Sequence, residues 1–238
     1  MMTAVTIQRL ASKQQTTELN IYREYMQHLF LSYFYQQPHT DTIFFKGETA
    51  LRIIYQSPRF SEDLDFSAHE HTMKHIEDAV LDTIREIERE GIQTEIVESK
   101  KTSGGYLAIL DFALQKQMVS LHLEISFRSN KTTGELATIA SDFIPPYTLM
   151  QMLKEQLIAE KMNALIFRRK PRDFYDFYFI LRANLLPVSD KKMIPGVLKI
   201  LLQTDINFDK ELKRFLPKSH WPIIRDFKAT LIKELERR

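Results

Sequence analysis

The 238-residue chain contains no cysteine. This excludes a disulfide framework, a thiol nucleophile and a cysteine-ligated zinc, and it suits a reducing cytosol. Its first thirty residues contain no unbroken apolar stretch, because Arg9, Lys13, Arg23 and several glutamines interrupt them. Neither a secretory signal nor a membrane span is expected, and a cytoplasmic location follows as the expectation. No sign of charge dominates either: 33 Lys and Arg face 31 Asp and Glu, a net charge of +2. Such a balance neither demands nor excludes nucleic acid, which only a local basic face could indicate. Repeats and low-complexity tracts are absent too. What remains is a globular chain with room for one large domain or two small ones.

Apolar spacing predicts a leading helix over Glu18–Phe34, closed by Pro38,. A strand at Ile43–Phe45, a break at Gly47 and a helix over Thr49–Tyr55 follow, with Pro58 ending the unit,. Leu64 and Phe66 alternate with Asp63 and Asp65, a period of two that marks a strand,. Met73–Glu90 reads as an amphipathic helix stopped by Gly91,. Ile92–Val97, Tyr106–Leu114 and Met118–Phe127 read as three further strands of one mixed sheet,. After Pro145-Pro146 the spacing is helical throughout, over Leu149–Phe167, Arg172–Arg182, Met193–Leu202 and Ile223–Leu235. The expected architecture is α+β: a mixed-sheet domain over residues 1–145, then an all-helical domain over 146–238.

On a strand, residues i and i+2 face the same way, so Asp63 and Asp65 project side by side, their Cα atoms roughly 6.5 Å apart. A solvated turn through Ser61-Glu62-Asp63 is the alternative for the same residues. Same-face acids on an apolar strand need a compensating charge, and Mg²⁺ is the natural oxygen-seeking candidate. A third acid, Glu124, lies opposite Leu121, Leu123 and Ile125 on a predicted strand; if that strand neighbours Asp63–Phe66, three carboxylates meet. Alone, Glu124 is equally an exposed strand residue. Three convergent acids can hold two Mg²⁺ ions about 3.5 to 4 Å apart, the arrangement used in nucleotidyl transfer. His69, His71 and His75 invite a zinc reading, but nothing else supports a closed site.

The segment Lys46-Gly47-Glu48-Thr49-Ala50-Leu51-Arg52, followed by Pro58-Arg59-Phe60-Ser61-Glu62-Asp63-Leu64-Asp65-Phe66, resembles the first two motifs of the AbiEii-type nucleotidyltransferase toxins, within the DNA polymerase β-like superfamily. The likeness continues at Glu160-Lys161-Met162-Asn163-Ala164 and at Arg168 to Phe177, and spans Phe45 to Leu181. It implies a minimal nucleotidyltransferase fold with an added helical half. It also implies the toxin of a two-gene type IV toxin-antitoxin system, neutralised by a cognate antitoxin protein. The implied chemistry is Mg²⁺-dependent transfer of a nucleoside monophosphate from an NTP to an acceptor, with RNA, tRNA above all, as the leading choice. Asp63, Asp65 and Glu124 are then the metal-binding catalytic acids. Gly47, Glu48 and Thr49 form the phosphate turn, Lys161 and Arg172 contact the triphosphate and Asp173 joins the nucleotide-binding set, while Asp176, on the same helix face, is a fourth catalytic residue that orients the incoming nucleophile or completes the cleft.

One position departs from the resemblance. The family has a second small residue where this chain has Glu48, and a carboxylate beside a phosphate turn repels the anion. A nucleotide-blocked binding protein and an enzyme acting on a small hydroxylated molecule such as an antibiotic therefore stay open as alternatives. Asp173 also has a structural reading: Pro171 suits the first position of a helix, which places Asp173 in its first turn. The basic run Lys161, Arg168, Arg169, Lys170 and Arg172 suits a polyanion or a solvated helix end. The aromatic run from Phe174 to Phe179 suits a core, with Tyr175 the one candidate for stacking on a base.

Overall fold

A computed structural model describes residues 2–68, 73–115, 117–127 and 132–237. Helices α1 (Ala4–Lys13) and α2 (Glu18–Phe34) lead the chain. Thr3 and Thr17 cap them, each side chain accepting an N–H from the first turn,. There follow β1 (Ile43–Lys46), α3 (Gly47–Ile53), β2 (Asp63–Ala68), α4 (Met73–Arg89), β3 (Gln93–Thr102), β4 (Gly105–Leu114), β5 (Gln117–Phe127), β6 (Gly134–Ile139) and β7 (Tyr147–Met152). Helices α5 (Lys154–Arg168), α6 (Pro171–Arg182), α7 (Ile194–Gln203), α8 (Phe208–Leu212), α9 (Trp221–Arg225) and α10 (Phe227–Glu236) complete it. Among the described residues no helix is long and apolar enough to cross a membrane.

The seven strands form one mixed sheet in the order β3-β4-β5-β2-β1-β7-β6. The inner pairs β2/β5 and β1/β7 are parallel, while β1/β2, β3/β4, β4/β5 and β6/β7 are antiparallel. Strand alternation separates the faces. Leu64, Phe66, Leu121, Leu123, Ile125 and Phe45 are buried in a core that includes Phe30 and Phe34 of α2 and Ile76, Val80, Ile84 and Ile87 of α4. The Phe66 ring lies 5.4 Å from Phe34 and 5.5 Å from Phe45,. The opposite face carries Lys46, Asp63, Asp65, His122 and Glu124.

The chain folds as two compact units, one of residues up to Gln56 with Phe60–Leu153, the other of Ser57–Arg59 with the residues from Lys154 onward. The expected break at residue 145, with helix alone beyond it, does not match. Residues 147–152 form β7, which pairs with β1 through Phe45 and Gln151 and with β6 along its length. Its two Met, Leu and Gln are helix formers by propensity, and only a partner distant in sequence makes them a strand. Helix α5 accordingly begins at Lys154, not Leu149. The expected helix Ile223–Leu235 is broken at Asp226 into α9 and α10. In the helical unit Phe174, Tyr175 and Phe177 are buried, and the Phe227 ring lies 5.7 Å from Tyr175 and 5.1 Å from Phe208. Tyr175 is thus a core residue, not a platform for a base.

Candidate active site

Register brings the predicted acids together. Strand β2 pairs in parallel with β5, so Asp63 stands beside His122 and Asp65 beside Glu124; on its other side Asp65 faces Lys46 of β1. Parallel neighbours lie about 4.8 Å apart, so their carboxylates share one patch of the sheet face. The Asp63 carboxyl is held above the usual carboxylate range, chiefly by burial and further by the charges of Glu48, Glu124 and Glu62, against a lowering influence from His122,. His122 Nδ1 is 3.7 Å from Asp63 Oδ1. The charge of Glu48 therefore bears on the acidic patch.

The turn before α3 is built around Asp65. Gly47 has a φ of +82°, and a Cβ there would lie 2.2 Å from Asp65 Oδ2. Glycine is needed twice over, for the backbone angle and for the close approach. Thr49 is fully buried, and its hydroxyl donates to the Asp63 carbonyl, so it pins α3 to β2 instead of reaching out to a phosphate. Two further ties fix the approach to β2. Arg52 of α3 forms a paired contact with Glu24 of α2 (2.6 and 2.9 Å) and lies over the Phe60 ring,. Gln27 Nε2 donates to the Ser61 carbonyl at 3.0 Å.

Hard carboxylate oxygens on adjacent strands, around an Asp63 raised chiefly by burial and further by acidic neighbours, match the donor chemistry of a divalent cation,. Among the described residues, however, no three His, Asp or Glu side chains are grouped as a metal site. The acidic patch is a charge cluster and not a closed cage. His69 and His71 lie outside the described residues; the His75 ring stacks on His39 at 4.3 Å.

The remaining candidates fall in the helical unit and are committed to one another. Asp176 receives Arg59 Nε at 2.8 Å, Arg59 Nη2 at 3.0 Å and Lys161 Nζ at 2.8 Å, all buried. Lys161 is therefore an internal ion-pair partner here, where a triphosphate contact was expected. Asp173 accepts the Lys170 N–H at 2.9 Å and Arg168 through both oxygens, closing the first turn of α6, as its structural reading required,. Arg172 Nε lies 3.7 Å from Glu211. Arg59 and Lys46 had no role assigned from the sequence, although both stand in the quoted motifs. Their only signal was a cation directly before each of the glycine and acidic segments, too weak without the fold.

The sequence matches the family described as nucleotidyl transferase AbiEii toxin, type IV TA system, over residues 29–233. The chain belongs to the AbiEii nucleotidyltransferase toxin family. That match extends into both compact units, and with it the chain is a nucleotidyltransferase of the toxin class. No curated protein matches the sequence. Among solved structures, the fold is similar to that of MenT4, nucleotidyltransferase toxin Rv2826c from Mycobacterium tuberculosis H37Rv. The TM-score is 0.66 at 17% identity, covering 100% of this chain and 93% of that one. It is also similar to JHP933 from Helicobacter pylori, with a TM-score of 0.56 at 21% identity, covering 93% and 95%. At these identities the likeness supports the fold alone.

Proposed function

We propose that this AbiEii family member transfers a nucleoside monophosphate from a Mg²⁺-bound NTP to an RNA acceptor, tRNA being the leading candidate, in the cytoplasm. The observation that carries this reading is the Asp65–Glu124 pairing beside Asp63, whose carboxyl is raised chiefly by burial and further by neighbouring acids. Asp63, Asp65 and Glu124 are the residues to hold the cation. Its contribution is charge neutralisation at the phosphates and at these acids. The Gly47 turn keeps Asp65 against the backbone, and Thr49 sets the position of Asp63. In the transfer, an acceptor hydroxyl oxygen bonds to the α-phosphorus, the bond to pyrophosphate breaks, and the hydroxyl proton is released. Lys161 and Asp176 contribute within the helical unit by tying α5 to α6, the helix that carries Arg172, a candidate triphosphate contact. The family's two-gene arrangement supports a separately encoded antitoxin protein as partner.

The test supplies the purified chain with labelled NTPs, Mg²⁺ and total RNA, alongside Asp63→Ala and Asp65→Ala. Labelled RNA from the wild type alone supports the reading; equal labelling by all three proteins rules it out.

The influence of Glu48 on Asp63 favours one second reading, a nucleotide-blocked protein that acts by binding a partner. Calorimetry separates the two. On the second reading the wild type binds no Mg²⁺-NTP and Glu48→Gly restores binding; on the first, the wild type binds unaided.

A further inference from the structure

Phe167, in the last turn of α5, is 84% exposed, the most exposed large hydrophobic side chain among the described residues. A scattered surface aliphatic needs no explanation. A phenyl ring held in solvent beside three consecutive exposed cations, Arg168, Arg169 and Lys170, is a different case.

The turn that presents it is well defined. Arg169 has a φ of +54°, the left-handed conformation that ends many helices and that glycine or asparagine adopts most readily,. Its Nε donates to the Ile166 carbonyl at 3.1 Å. Asp173 accepts from the Lys170 N–H and from Arg168, tying the turn to α6. The nearby carboxylate is thus already paired, and an arginine stands where glycine is the less strained choice.

We propose that the Phe167–Lys170 turn is a docking site for an unpaired stretch of nucleic acid, with the Phe167 ring stacking on a base and the Arg169 and Lys170 side chains meeting the flanking phosphates. A single-stranded nucleic acid satisfies both features at once, since each base offers a flat face and each link an anion. A protein pocket that took in the ring would have to desolvate the cations around it, which is costly unless each is paired. This inference rests on the proposed RNA acceptor only for the identity of its ligand.

The experiment measures binding of the full chain to a labelled single-stranded RNA oligonucleotide by fluorescence anisotropy, without NTP, across a range of salt. Phe167→Ala is expected to weaken binding roughly 5- to 100-fold, with an unchanged salt dependence, because stacking is lost and no charge is. Arg169→Gly suits its backbone angle and keeps the fold; it is expected to weaken binding and to lower the salt slope by about one. Circular dichroism confirms that both variants are folded. An unchanged Kd for Phe167→Ala, or no binding by the wild type, overturns the proposal. The two readings fail separately. RNA bound through Phe167 but never labelled sinks the transfer reaction alone. RNA labelled with the same KM by wild type and Phe167→Ala sinks the docking site alone.

Discussion

Arg59 and Asp176 form a two-pronged ion pair with side chains about 2% exposed, although 117 positions separate them in sequence. The pair ties the Ser57–Arg59 segment, which directly precedes the acidic-strand motif, into the helical unit. Lys161 adds a second cation to the same carboxylate. A buried carboxylate between two buried cations is a structural group first: removing one partner leaves uncompensated charge behind.

Asp176→Ala is therefore expected to destabilise the fold by about 3 to 5 kcal/mol. Urea unfolding checks this. An unchanged midpoint would return Asp176 to a purely functional role.

Gly47→Ala combines a left-handed backbone angle with a Cβ placed against Asp65. We expect a loss of more than about 2 kcal/mol, since the angle alone accounts for roughly 1 to 2, together with loss of nucleotidyl transfer. Gly91 is the internal control: its φ is +80° but nothing lies within 4 Å of an added Cβ. Gly91→Ala should cost only the angular part and leave transfer intact.

Asp63 couples stability to pH and to Mg²⁺. Its folded pKa lies above the ordinary 3.8, so between those two values the folded chain binds more protons than the unfolded one. Stability then falls as pH rises through that window, and at neutral pH the ionised group opposes folding. In metal-free buffer at pH 7, Asp63→Asn should be as stable as the wild type or more so, yet inactive. Mg²⁺ should raise the melting temperature of the wild type and not of the variant. That rise should shrink on acidification into the window, as protons compete for the carboxylate. Calorimetric melting with and without Mg²⁺ reads all three effects.

His28 gives a second pH signal, remote from the acids. It is buried, its Nδ1 lies 2.9 Å from the Tyr147 hydroxyl, and burial, with a smaller effect of Arg52, lowers its pKa from 6.5 to about 3. Below 6.5 the unfolded chain takes up a proton that the folded chain refuses. Stability should fall by up to about 1.4 kcal/mol per pH unit from 6.5 towards 3, and show no dependence on this group above that range. Urea unfolding of wild type and His28→Gln at pH 7 and about pH 5 should show a smaller acid loss in the variant.

Local pattern was sufficient wherever structure is local. The alternation through Asp63–Phe66, the 3.6-residue period of α4 and the Gly91 stop were all legible, because strand and helix periodicities are written in nearest neighbours,. Strand β7 was not, because its residues favour helix and only pairing with β1 and β6 overrides them. Thr49, Lys161 and Asp173 were legible as motif positions, but the groups that occupy their side chains lie on other elements.

The sequence by itself therefore determined the class of fold, the family and the identity of the acidic residues, since these depend on residue type and spacing along the chain. Tertiary structure alone decided that Glu124 stands next to Asp65, that Glu48 bears on Asp63 and that Asp176 is held by Arg59. Each of these is a relation between residues separated in sequence, set by strand register or by burial of charge, and neither quantity exists until the chain has folded.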